Sequence, residues 1–221
     1  MIKKVMVVIA LIVLTSIPAS AGYLAIQNST FESPALPNMG NWSYTVDGWD
    51  TQSMDGNPNH SGGVWYAVTS EYDDPIPEGN QVGFIYYPSM MQQELDDVLE
   101  PETTYTLSVW VGHRETEWTD SYLIELLVGN NTIASIANYD PGYGSWDLLK
   151  MEYNSSDADA SLFGQNLGIR FRNWSNYGQV QFDDVKLFAN SNPVPLPGTI
   201  LLFGSSLSAI GILRKIRRRQ R

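Results

Sequence analysis

The chain has 221 residues, a formal net charge of −11 and no cysteine. That length suits one well-packed domain, and the absence of thiols excludes a disulfide framework and a cysteine nucleophile. The acidic balance excludes nucleic acid as a partner, because a negative surface repels phosphate.

The chain starts with Lys3 and Lys4, an apolar run from Val5 to Leu14, and Pro18-Ala19-Ser20-Ala21. Basic residues, a short greasy core and an Ala-x-Ala site predict a secretory signal helix over residues 1–21, cut before Gly22. A retained anchor is the alternative, and the apolar run is short for it. Only Arg114, Lys150, Arg170, Arg172 and Lys186 of the thirteen Lys and Arg lie between this segment and the basic C-terminus. All twenty-four Asp and Glu lie there too, so that region carries −19. Such a surface favours cations or neutral polymers.

From residue 22 to 190 the hydrophobic period is two. Tyr105, Leu107, Val109 and Val111 alternate with Thr106, Ser108, Trp110 and Gly112. Tyr122 to Val128 and Leu167 to Arg172 alternate in the same way. Further strands are predicted over Tyr23–Gln27, Val64–Thr69, Gln81–Tyr87, Thr132–Ala137, Trp146–Tyr153 and Val180–Phe188, separated by Gly-, Asn-, Asp- and Pro-rich turns. The helix-like stretch Met91–Leu99 is assigned to a strand and the loop after it. Near Asp183-Asp184 the apolar parity switches, from Val180 and Phe182 to Val185 and Leu187, which predicts a β-bulge. Together these elements predict an all-β antiparallel sandwich or jelly roll.

Beyond residue 190 the chain reads as an address. Residues 191–198 are a proline-rich hinge, and Thr199–Leu213 is an uncharged run of fifteen residues. A full span takes roughly 20 apolar residues, so a transmembrane helix over 199–221 would be short. Arg214, Lys215, Arg217, Arg218 and Arg219 form a basic stop expected on the cytoplasmic side. A plain membrane anchor and a processed sorting signal both fit.

Val194-Pro195-Leu196-Pro197-Gly198, the Leu-Leu-Phe-Gly-Ser-Ser-Leu run after it and the terminal arginines resemble the PEP-CTERM sorting domain of Gram-negative bacteria. Pro-Leu-Pro stands where the family has Pro-Glu-Pro. The resemblance implies an inner-membrane precursor processed by an exosortase, then a cell-surface or matrix protein associated with exopolysaccharide and biofilm.

A second resemblance spans the domain. Asn28-Ser29-Thr30-Phe31-Glu32, Gly48-Trp49, the stretch Pro101 to Ser108, and Phe182-Asp183-Asp184-Val185 together look like the galactose-binding-like jelly roll of many carbohydrate-binding modules. It implies a structural calcium ion tying the first strand to the last. Glu32 and Asp183 or Asp184 stand at the matching positions, with solvated carboxylates at a bulge as the alternative.

Seven Trp and twelve Tyr supply flat rings suited to sugar faces. Candidates for stacking are Trp118, in a charged loop, with Trp65, Tyr66, Tyr86, Tyr87, Tyr143 and Trp174. Trp42 and Trp49 are assigned to core or edge packing. His60 and His113 lie outside any metal-ligand spacing, and no Gly-x-Ser-x-Gly elbow or phosphate loop is present. The expectation is a non-catalytic surface protein. The alternatives are a lectin-like module and a glycan-active enzyme, the last needing two facing carboxylates in a cleft.

The intact mass of the native mature protein tests both flanks. The expected product begins at Gly22 and lacks the arginine-rich terminus; a product retaining both ends overturns the reading.

Overall fold

The computed structural model describes residues 21–118 and 121–191. All but the last residue of the expected signal peptide lies outside the described residues. So do the sorting motif, the transmembrane segment and the basic tail.

Twelve strands build two antiparallel sheets among the described residues, as the period-two patterning requires. They are β1 (Ala21–Tyr23), β2 (Trp42–Ser43), β3 (Asp50–Ser53), β4 (Gly62–Tyr66), β5 (Gln81–Tyr86) and β6 (Ser89–Val98). The remainder are β7 (Thr103–Gly112), β8 (Tyr122–Val128), β9 (Asn131–Ala137), β10 (Trp146–Asn154), β11 (Asn166–Asn173) and β12 (Gln179–Ser191). One sheet runs β10-β7-β12-β5-β4-β2, with β1 added to the far half of β12; the other runs β3-β6-β11-β8-β9.

The stretch Met91–Leu99 is indeed mostly strand. Met91 and Leu95 point into the core while Gln92 and Glu94 point out, so a helix would have split this apolar stripe. The inward Gln93 is satisfied there. Its Oε1 accepts from Gln27 N at 2.8 Å, and its Nε2 donates to the carbonyls of Gln27 and Gly48. One carboxamide thereby fastens the arm that follows β1 to the five-stranded sheet.

Between the sheets lies a closed core of Val, Ile, Leu and aromatic side chains. A column of rings crosses it: Phe31 packs on Trp49 at 5.4 Å, Trp49 on Phe171 at 5.6 Å, and Phe171 stacks on Phe182 at 4.1 Å. Offset aromatic pairs contribute about 0.5–1.5 kcal/mol each beyond the area they bury. The column also joins distant segments, since Phe31 and Trp49 come from the arm before β3, Phe171 from β11 and Phe182 from β12. The expected bulge is present, because the β12–β7 register shifts between Asp183 and Lys186 and Asp184 has φ 45°. The extra residue lets Phe182 and Val185 both face inward.

On the outer side of the five-stranded sheet, Glu125 is 1% exposed and sits between two guanidinium groups. Arg170 Nε donates to Glu125 Oε2 at 2.8 Å, Arg172 Nη2 to Oε1 at 2.7 Å, and Thr132 Oγ1 to Oε1 at 2.7 Å. Burial works to raise this carboxyl's pKa, and the hydrogen bonds from Arg170, Thr132 and Arg172 outweigh it and hold it low. Because the folded pKa lies below the unfolded one, the contribution is complete above the unfolded carboxyl's range near pH 4.3 and is lost as pH falls through the folded value. Glu125→Gln is expected to cost about 3 kcal/mol at pH 7 and to flatten the loss of stability below about pH 5. Urea unfolding across a pH series checks both.

Candidate functional site

The seven-stranded sheet is apolar on its outer face as well. Alternation sends Val64 and Ile85 into the core and leaves Trp65, Val82 and Phe84 facing outward. With Ala67, Tyr72 and Trp146 they form a second cluster. The chain after β4, including a short 3-10 turn at Thr69–Glu71, folds back over part of this face. Tyr72 packs on Trp146 at 5.1 Å. Gly112 makes this possible, because a Cβ there would lie 2.6 Å from the Trp146 ring.

The cover is incomplete, and the gap is a cleft of ≈ 450 Å³. Trp42, Tyr44, Trp65, Phe84 and Tyr86 give it aromatic walls; Glu71, Arg114, Glu117 and Gln179 supply its polar groups. Trp42 is 57% exposed and packs on Tyr44 at 4.6 Å. Arg114 lies 4.5 Å over the Trp65 ring, donates to Gln179 Oε1 at 2.9 Å and pairs through Nε with Glu71. Thr116 Oγ1 donates to the same Glu71 oxygen at 2.9 Å. Burial works to raise the Glu71 carboxyl's pKa, but the Arg114 hydrogen bond and charge keep it low, so it is ionised at neutral pH. The Tyr86 hydroxyl is pushed up to about 12, mainly by burial, then by its contact with Tyr87, and it stays protonated.

The expected stacking residues scatter. Trp65 and Tyr86 line the cleft, and Tyr66 ends β4 half-buried. Tyr87 stacks on His60 at 4.5 Å. Trp118, expected to stay out in a charged loop, is half-buried against the core and stacks on His113 at 4.2 Å. Tyr143 packs on His113 at 4.5 Å, and Trp174 lies under Arg172 at 4.7 Å. His113 is buried, with Nδ1 2.7 Å from Asp140 Oδ1. Trp49 is core as expected, whereas Trp42 belongs to the cleft. Tyr44, Phe84, Glu71, Arg114, Glu117 and Gln179 went unnoticed in the sequence; the outward parity of Phe84, two residues before Tyr86, was the available signal.

The carboxylates proposed for calcium separate into two environments. Glu32 Oε1 accepts from Asn80 N at 2.8 Å and Gln81 N at 2.7 Å, and Asp183 Oδ2 accepts from Glu78 N at 2.8 Å. Both therefore grip the 78–81 segment. Asp183 is fully buried, and its carboxyl is pushed up to about 8 by burial, with the negative charges of Asp184 and Glu32 adding to the effect. Asp184 instead pairs with Lys186 at 2.6 Å. Among the described residues, no group of three or more His, Cys, Asp or Glu side chains converges.

The outside of this antiparallel sandwich thus carries an aromatic-walled cleft with an ion pair set into it, in the size range of small-molecule pockets. Comparison gives the class a family. The HpiC1-like family, described as HpiC1 cyclase, matches residues 23–188, and the chain belongs to it. No curated protein matches the chain.

Among solved structures, the Stig cyclase Fisc from Fischerella sp. TAU, in complex with (3Z)-3-(1-methyl-2-pyrrolidinylidene)-3H-indole, aligns with a TM-score of 0.69 and 27% identity. The alignment covers 80% of this chain and 100% of that one. An apo cyclase from Fischerella sp. aligns with a TM-score of 0.69 and 29% identity over 80% of this chain and 98% of its own. A cyclase from Fischerella sp. TAU in complex with 4-(1H-indol-3-yl)butan-2-one aligns with a TM-score of 0.68 and 27% identity, covering 79% and 99%.

These findings correct the sequence reading. The protein is an enzyme of a cyclase family, not a non-catalytic, carbohydrate-binding surface or biofilm protein. The family also overturns exosortase and exopolysaccharide as the expected partners. A cyclisation can be run by a shaped cavity without a nucleophile, a metal triad or facing carboxylates, so the lack of those motifs does not exclude catalysis.

Proposed function

We propose that this cyclase folds and closes a small indole-bearing substrate in the cleft walled by Trp42, Tyr44, Phe84 and Tyr86. The aromatic walls carry the reading, because flat rings lining one cleft complement a flat heterocycle. Closing a ring within one molecule requires a reactive conformer held in place and shielded from water. Aromatic walls do both, and a ring's π-face stabilises positive charge that develops as the new bond forms. Tyr86 stays protonated and can donate a hydrogen bond. Glu71 fixes Arg114 rather than supplying a proton. Closure onto an aromatic carbon leaves a proton to be removed, and we assign that proton to the Glu117 carboxylate, which forms no ion pair among the described residues.

Isothermal titration with 4-(1H-indol-3-yl)butan-2-one tests the site. Trp42→Ala removes an exposed wall without opening the core, and is expected to weaken binding about five- to tenfold. Trp118→Ala should leave it unchanged. Equal affinity in wild type and Trp42→Ala would move the site elsewhere.

We also propose a structural calcium ion held by Glu32 and Asp183, with backbone carbonyls supplying most of its ligands. A buried carboxylate without a cationic partner supports it; Asp184, already neutralised by Lys186, is left out. The ion would offset the buried charge and tie the 78–81 segment to β12. Calcium at a hundredfold excess over its Kd is expected to raise Tm by about 5–10 °C. Asp183→Asn should abolish that response and Asp184→Asn should keep it, read by thermal melts with and without EGTA.

We propose, finally, that the cyclase is exported. The leader-like residues 1–21 support this, and so does the resemblance of the tail to a PEP-CTERM sorting segment.

A further inference from the structure

Beside the cleft-lining residues, on the same face of the seven-stranded sheet, lies Gln181. Val180 and Phe182 face the core, so Gln181 faces outward on the same side as the cleft residues. It pairs across the sheet with Phe84, and its strand neighbour two residues earlier is Gln179; both line the cleft. On its other side it pairs with Gly112, across which the Trp146 ring lies.

Gln181 is fully buried, yet neither its Nε2 nor its Oε1 has a hydrogen-bond partner among the described residues. The Tyr72 hydroxyl and Trp146 Nε1 in the same patch are buried without partners as well. Burial pushes the Tyr72 hydroxyl's pKa far up, so it stays a donor. Buried polar groups are almost always satisfied, and three orphans on one patch next to a cleft cost stability that a purely structural role does not return.

We propose that Gln181, with Tyr72 and Trp146, is a substrate-recognition subsite that receives a hydrogen-bond acceptor of the substrate, a carbonyl oxygen or an imine nitrogen. The orphans supply mostly donors: the Gln181 amide N–H groups, the Tyr72 O–H and the Trp146 N–H. Gln179, held by Arg114, stands beside Gln181 on the same face of β12, so a ligand reaching the buried subsite from the cleft has to displace side chains there. The inference rests on the cleft as the cyclase site and adds the substrate class: an indole whose side chain bears an acceptor.

The test compares 4-(1H-indol-3-yl)butan-2-one with 3-butylindole, which lacks only the carbonyl. Titrations use wild type, Gln181→Met and Tyr72→Phe. Wild type is expected to prefer the ketone by about tenfold or more, since a site built for a polar group rejects the analogue lacking it. Gln181→Met should bring that preference close to one, leave 3-butylindole binding unchanged and raise the Tm of the free protein. Tyr72→Phe, which hardly threatens the fold, should reduce the preference in the same direction. A preference that survives both substitutions overturns the subsite while leaving the cleft in place. Binding of neither compound by wild type overturns the cleft reading itself.

Discussion

A sheet with two greasy faces has to be covered twice, and the architecture follows from that requirement. The inner face of the seven-stranded sheet is closed by the other sheet, across the ring column from Phe31 to Phe182. The outer face carries Trp65, Val82, Phe84 and Trp146, and no third layer exists among the described residues to close it. Only a loop with a single 3-10 turn lies across it. Where that cover stops, apolar surface is left concave and accessible, and the cavity is the result.

Charge placement follows the same division. Five cations stand against 24 carboxylates in the domain, so each buried cation is committed. Arg170 and Arg172 are used on the far sheet to neutralise Glu125, where they fasten β11 to β8. Arg114 is used at the cleft, where it joins Glu71, Gln179 and Trp65 into one polar-aromatic assembly. The first arrangement serves stability. The second places a fixed charge beside a ligand-sized space. Asp183, at the bulge in β12, is left without a cation of its own.

Much of the fold was legible in the sequence, because period-two alternation reports directly which side of a strand is buried. Tyr122–Val128 was bounded as the strand is, and the parity switch at Asp183-Asp184 marked the bulge. The chemistry was far less legible. A wall of a small-molecule cleft and a core position both read as outward or inward aromatics on a strand, and parity alone does not say whether an outward face is roofed. Trp42 and Trp49 illustrate the difficulty: seven residues apart and similar in context, one is a cleft wall and the other is core. Trp118 failed in the opposite sense, since His113 offered a partner that the loop's charge concealed. Gln181 looked like an ordinary polar strand residue, and only the packing around it exposes its unmet hydrogen bonds.

The pairing of β1 with β12 has a mechanical consequence. Ala21 sits opposite Asn190, so the first and last strands reach the rim of the fold side by side. Tension drawn through both flanks would peel a three-residue ribbon open one bond at a time, the weak direction for an antiparallel pair. The N-terminal half of β12, which carries Gln179 and Gln181 and is clamped between β5 and β7, would feel little of it. A tether at that rim could be pulled, trimmed or lost without disturbing the chamber.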